Sequence, residues 1–261
     1  MITHGRHAAL DLGTARTRLL LSGNDTLLDE PSAVPADLSE PDTGTAGAVP
    51  DARWRWPVRH GMVADASACA RLTGRILRAS ARQGTAPLER LLLGVPVAAS
   101  GAERRAAVTA VRAVAGCPVA VVEEPLAAAV GSGVSVTDPH PRILLDMGAG
   151  IIEAAVISRG QVVDTGSVQI IREFHPGRVT GMPAHLLTHV AATLADLVNR
   201  VPASIRRGAR DRGLIITGGG ATRPGLAQHL CSALRVSVSV APDPARATVR
   251  GLARLLASDR P

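Results

Sequence analysis

The chain has 261 residues, enough for one large domain or two linked lobes with cores of their own. Hydrophobic residues make up 46 %, but aromatics only 1 % (Trp54, Trp56, Phe174 and no tyrosine), so the core has to be aliphatic. There are 29 Lys+Arg against 22 Asp+Glu, a formal charge of +7, and every one of those cations is arginine. Near-absence of aromatics for base stacking, and of any binding motif, argues against a nucleic-acid partner. Arginine-only basicity fits GC-rich coding as well as an anionic membrane surface.

No run of ~18 apolar residues exists and the N-terminus has no signal-length apolar stretch, which predicts a cytoplasmic protein. Cys69, Cys117 and Cys231 are odd in number and far apart, fitting neither a disulfide framework nor a zinc pattern.

In chain order, Ala8–Asp11 and Arg18–Leu21 read as strands joined by a Gly-Thr turn. Short strands with a proline break occupy Thr26–Pro35. Ala36–Trp56, rich in Pro, Gly, Asp and Thr, reads as a loop or insert. A helix spans Asp65–Gln83, a strand Arg90–Pro96, and a second helix opens at Ser100, where Glu103 completes a capping box. Strand Val119–Val122 and helix Pro125–Val130 follow. Three strands come next, Ile143–Asp146, Glu153–Ser158 and Gln161–Val168. Helix Met182–Val201, strand Leu214–Thr217, helix Pro224–Leu234, strand Val236–Val240 and helix Ala245–Ala257 close the chain. A strand–glycine turn–strand opening near Asp11 recurs near Asp146, which predicts two similar halves with a cleft between them.

Three glycine turns, each at the end of an apolar strand, carry the chemistry. They are Asp11-Leu12-Gly13-Thr14-Ala15-Arg16, Asp146-Met147-Gly148-Ala149-Gly150 and Thr217-Gly218-Gly219-Gly220-Ala221. Glycine lets backbone approach a ligand, its N–H groups can face phosphate oxygens, and an Asp at the mouth can hold Mg²⁺ through water. One such turn is only a turn; three in this order, each after an apolar strand, are much less expected by chance.

The stretch Ala8–Ala15 is similar to the first phosphate loop of the MreB/Mbl family of bacterial actin-like proteins. Asp29-Glu30-Pro31-Ser32, Pro57–Asp65, Glu123–Gly131, Leu145–Ser158 and Asp211–Gly220 resemble further family segments in order, and Pro242–Pro244 and Val249–Gly251 resemble its C-terminal end. The resemblance implies an α/β actin-like (ribonuclease H-like) two-lobed fold with mixed central sheets. Residues 1–141 with 241–261 would form one lobe and 142–240 the other. Family members are longer, and the shortfall falls at Ala36–Trp56 and between Val168 and Gly181, so both outer subdomains are reduced or missing. With the second goes the wall that holds ribose and adenine.

By the same resemblance the ligands are ATP and Mg²⁺. Asp11 and Asp146 would flank the metal. Gly13, Thr14, Ala15 and Arg16, with Gly148, Ala149 and Gly150, would cradle phosphates, and Gly218, Gly219, Gly220 and Ala221 would pass under the adenosine. Glu124 would orient the attacking water, or alternatively serve only as a helix N-terminal carboxylate. Ile151 and Ile152 replace two family threonines, one of which positions that water; isoleucine cannot hydrogen-bond it. Arg16 replaces an asparagine and either adds charge toward a phosphate or blocks it.

The implied function is a cell-shape or cytoskeletal protein that binds ATP weakly, turns it over little, and joins or modulates filaments of itself or a full-length relative. The rivals are a small active ATPase or sugar-kinase-type phosphotransferase, and a nucleotide-free scaffold. Arg71, Arg75, Arg78 and Arg82 share one helix face, as a solvated surface or a contact for anionic lipid at the inner membrane face.

Overall fold

Two five-stranded sheets with the same topology organise the protein, a computed structural model that describes residues 6–22, 25–36, 53–82, 87–170 and 182–258. The first contains β1 (Arg6–Leu12), β2 (Arg16–Leu21), β3 (Leu27–Pro31), β8 (Leu88–Val95) and β9 (Val119–Glu123), in the order β3-β2-β1-β8-β9. The second contains β10 (Arg142–Met147), β11 (Ile151–Ser158), β12 (Gln161–Gln169), β13 (Leu214–Thr217) and β14 (Val238–Val240), in the order β12-β11-β10-β13-β14. In each, three strands form an antiparallel meander and two more add in parallel. The predicted pair of similar halves is therefore present strand for strand.

Two small ribbons lie between β3 and α1 (Ala66–Ala81): β4 (Val34–Pro35) with β5 (Trp54–Arg55), and β6 (Val58–Arg59) with β7 (Met62–Val63). The predicted insert falls on them in part; residues 37–52 lie outside the described residues, as does the link 171–181. Trp54 ends the first ribbon with 47 % of its surface exposed.

The helices follow the apolar pattern. α1 is capped by Asp65, whose carboxylate accepts from the Ala68 N–H at 2.9 Å, and α2 (Gly101–Ala115) carries the predicted Ser100/Glu103 capping box. Both cover the outer face of the first sheet, where Leu10, Leu19, Leu91 and Leu93 meet Cys69, Ile76 and Val111. α4 (Ala184–Arg200) and α6 (Leu226–Leu234) cover the outer face of the second. Between them runs α5 (Ala203–Arg212), a helix that periodicity did not reveal because only Ala209 along it is buried. Its signals were Pro202 before the start and Gly213 after the end. The last predicted helix begins as a 3-10 turn, Pro244–Arg246, before α7 (Ala247–Ser258).

α3 (Glu124–Gly131) and α7 lie between the sheets. Ala9 and Leu92 of the first sheet pack with Ala127, Val249 and Leu252, whereas Leu144, Ala155 and Ile157 of the second pack with Ala128, Ala129 and Ala247. Small residues are needed because the two helices touch backbone to backbone. A Cβ on Gly251 would run into the Ala127 carbonyl, and one on Gly131 into that of Ala247. This is the two-lobed actin-like arrangement, with the outer subdomains reduced or missing among the described residues.

Candidate functional site

Strand alternation decides where the two aspartates point. Ala9 lies on the inner face of β1, so Asp11, two residues on, lies there too; Leu144 and Asp146 repeat the geometry on β10. Both carboxylates sit at the strands' carboxyl ends, 7 % and 8 % exposed, facing the space between the sheets. The same rule puts Arg18, opposite Asp11, and Glu153, opposite Asp146, on those faces. Glu124 enters from the first turn of α3, after Glu123 and before Pro125.

The glycine turns converge here. Gly13 N–H closes its own turn on the Arg16 carbonyl at 3.1 Å, so it shapes the loop. Ser32 locks that loop, donating to the Gly13 carbonyl at 2.6 Å while its backbone N–H reaches the Ala15 carbonyl at 3.0 Å. Loops one and two are bridged by the tight turn His60-Gly61. Gly61 N–H donates to Thr14 Oγ1 at 2.9 Å, and His60 Nδ1 lies 3.3 Å from the Gly150 carbonyl. Gly150 has to be glycine because a Cβ would strike Thr14 Oγ1 and the His60 backbone. Loops two and three are joined by Gly220 N–H on the Met147 carbonyl at 2.9 Å, and Gly218 N–H holds Pro244 O at 2.8 Å. Gly218 has φ +84°, and a Cβ there would collide with Asp146 Oδ1 and Met147 O. Gly219 stays exposed at the rim, with Ala221 buried behind it. Gly148 and Ala149 complete the second turn between β10 and β11.

Arg16 turns its side chain to a partner within its own sheet. Its Nε bonds Asp29 Oδ1 and its Nη2 the Asp29 carbonyl at 2.7 Å, directing the guanidinium along β3. Ile151 and Ile152 are buried in β11.

The electrostatics single out one region. Burial pushes the Asp146 carboxyl up to about 7, and the Asp11 charge adds to it. Burial likewise lifts Glu153 to about 7, against an N–H donated by Ala98 at 3.1 Å. Asp11 is raised by burial, with Arg18 opposing. Glu124 is raised well above the usual range, by burial first and then by Asp11, Glu153 and Asp146. A carboxylate serving only to satisfy a helix N-terminus would be held low; here burial, with like charges added to it, wins. Four acids thus face one space, with Arg18 bonded to Asp11 and Arg104, paired with Glu123 at 3.3 Å, acting on Glu153 by charge alone.

That donor set suits a hard divalent cation. Glu153 Oε2 is buried without a hydrogen-bond partner, an acceptor that a cation's water could satisfy. Among the described residues no three metal-capable side chains converge to enclose an ion. Mg²⁺, which keeps waters and shares its shell with phosphate, fits such a half-built site.

Sequence reading missed Arg18, His60, Glu153 and Thr248, whose hydroxyl reaches Asp146 Oδ2 at 3.5 Å. For Glu153 the signal was a lone acid in the otherwise apolar strand Ile151–Ser158. For Arg18 it was a charge at an inward position of an alternating strand.

The MreB/Mbl protein family model matches residues 5–174 and 173–260. The chain is 25 % identical to the cell shape-determining protein Mbl of Bacillus subtilis (strain 168) over 309 positions, covering 92 % of each chain. It is equally 25 % identical to the cell shape-determining protein MreB of Escherichia coli (strain K12) over 315 positions, covering 93 % of this chain and 91 % of that one. Both alignments are longer than the 261-residue chain itself, so these relatives carry internal stretches that it lacks. Among solved structures, MreB5 of Spiroplasma citri bound to ADP superposes with TM-score 0.81 at 19 % identity, covering 97 % of each chain. The MamK double helical filament superposes with TM-score 0.76 at 18 % identity, covering 99 % of this chain and 100 % of the other.

Proposed function

The chain belongs to the MreB/Mbl family, and from that premise we propose that it is an actin-like cell-shape protein that binds ATP with Mg²⁺ between its lobes, weakly and with little hydrolysis. The carrying observation is the convergence of three glycine turns and four carboxylates on one cleft between two sheets of equal topology. MreB5 of Spiroplasma citri, which shares this fold, has been solved with ADP and with AMPPNP.

In this reading, residues 1–141 with 241–261 form one lobe and 142–240 the other. Thr14, Ala15 and the Gly148–Gly150 turn line the phosphates, and Gly13 sets the loop. Gly218, Gly219, Gly220 and Ala221 support the adenosine. Asp11 and Asp146 flank Mg²⁺, whose chemistry is to neutralise phosphate charge. Glu124, raised well above the usual carboxylate range by burial and then by its acidic neighbours, is suited to accept a proton from water. Ile151 and Ile152 offer that water no hydrogen bond, and the reduced outer subdomain leaves the base side of the pocket open. Both features favour binding over turnover.

Self-association, or joining filaments of a full-length relative, is the proposed partner mode, since MamK, of the same fold, forms a double helical filament. Arg71, Arg78 and Arg82 are exposed on α1, whereas Arg75 is held by Glu30 at 2.9 Å and the Ala33 carbonyl at 3.0 Å. Three exposed guanidinium groups on one face could rest on anionic lipid at the inner membrane face. Among the described residues no helix is long and apolar enough to cross a membrane.

Calorimetry with ATP and Mg²⁺, paired with a phosphate-release assay, tests the proposal. The expected result is saturable binding with Kd above about 10 μM and phosphate release near background. Absence of binding at millimolar ATP, or tight binding with brisk release, overturns it.

A further inference from the structure

The two hairpins that open the sheets superimpose in register but not in charge. Asp11 at the end of β1 faces Arg18 of β2; Asp146 at the end of β10 faces Glu153 of β11. Opposite charges across a strand pair attract and like charges repel. One aspartate therefore carries its counter-ion within its own hairpin, while the other faces a second acid. Resting on the nucleotide reading above, we propose that in the nucleotide-free protein Arg18 is a built-in counter-cation that takes the place of a divalent ion at Asp11, so that before nucleotide and its phosphates arrive divalent-cation binding is concentrated on Asp146 and Glu153.

Arg18 is well placed for this. Its side chain is only 13 % exposed, with Nη1 3.5 Å from Asp11 Oδ2. Its Nε donates to Asp29 Oδ2 at 3.2 Å, and Asp29 is fixed in turn by Arg16. Burial would raise Asp29, but the hydrogen bonds and charges of Arg16 and Arg18 hold it below the usual carboxylate range. Asp29 thus stays ionised and pins Arg18 in place. Arg246 Nε, 3.9 Å from Asp29 Oδ2, closes the network from the C-terminal segment. A fixed guanidinium at this position costs a divalent ion both ways: it occupies the Asp11 carboxylate and repels a second positive charge. Among the described residues no guanidinium is bonded to Asp146 or Glu153: Thr248 and Thr217 beside Asp146 are neutral, Ala98 and Val97 offer Glu153 backbone N–H groups, and Arg18 and Arg104 act on the two acids only through their charge.

The test uses Mn²⁺ alone as a paramagnetic probe, read by electron paramagnetic resonance on the full chain without nucleotide. Arg18→Leu is expected to tighten Mn²⁺ binding about tenfold, and Arg18→Met to do the same should the leucine variant fold poorly. Asp11→Asn should abolish that gain, and Glu153→Gln should weaken Mn²⁺ in every background. Arg75→Leu, which removes an equally well-bonded arginine away from the cleft, should change nothing. A folded Arg18→Leu protein with unchanged or weaker Mn²⁺ affinity overturns the proposal, and so does a gain that survives Asp11→Asn. Because the readout needs no nucleotide, failure of ATP to bind would overturn the functional reading while leaving this result to stand by itself.

Discussion

Asp146→Asn should make the nucleotide-free protein more stable, and only at neutral to alkaline pH. Burial raises the Asp146 carboxyl from 3.8 to about 7. Below about pH 4 the residue is protonated in both folded and unfolded states and contributes no pH dependence. Between there and pH 7 the unfolded chain releases the proton and the folded one keeps it, so stability falls as pH rises, by about 1.4 kcal/mol per unit. Above pH 7 the loss is complete. The span from 3.8 to about 7 sets a ceiling of about 4 kcal/mol for this one side chain. Asparagine removes the charge at equal size and keeps an acceptor for Thr248, so about 2–4 kcal/mol should be regained at pH 8 and little at pH 4.5. Urea melts of both proteins at the two pH values measure it. Equal effects at both, or destabilisation at pH 8, would refute the picture of an electrostatically strained cleft. The same variant should lose Mg²⁺-dependent ATP binding, separating stability from function.

Four further outcomes follow from the geometry. Gly251→Ala should cost about 3 kcal/mol or more, because its methyl runs into the Ala127 carbonyl and forces α3 and α7 apart; thermal melts would show it, and a variant within about 0.5 kcal/mol of the parent would contradict that packing. Ile151→Thr should raise phosphate release above background, since it restores one of the hydroxyls that the family resemblance leads one to expect for holding the attacking water; unchanged release would show that the isoleucine is not what limits turnover. Ser32→Ala should loosen the first loop, costing about 1 kcal/mol and weakening ATP more than it weakens the fold, as parallel calorimetry and melts would show. Replacing Arg71, Arg78 and Arg82 with Gln should abolish salt-sensitive co-sedimentation with anionic vesicles; retained binding would place any membrane contact elsewhere.

The layout of the sheets was legible because aliphatic strands ending in glycine turns repeat around Asp11 and Asp146. Alternation also explains why both aspartates face inward: Ala9 and Leu144 mark the inner faces two residues earlier. Other features depended on pairing across strands or between lobes, which local pattern does not carry. Arg18 gains its meaning only once it lies opposite Asp11, and Glu153 only opposite Asp146. The His60-Gly61 turn bridges two loops distant in sequence, a role that nothing local in Pro57–Asp65 signals. Arg16 shows the converse: it sits in the phosphate-loop stretch, yet Asp29 draws it away. Helix α5 escaped notice because a helix with one buried residue has no apolar stripe to read.

The central claim is that three separated loops form one nucleotide site, and amide hydrogen exchange with and without ATP and Mg²⁺ tests it most directly. The account predicts concerted slowing in peptides covering Asp11–Arg18, Asp146–Glu153 and Thr217–Ala221, with Asp146→Asn removing all three effects together. Protection of only one loop, or no change at saturating millimolar ATP, would contradict it.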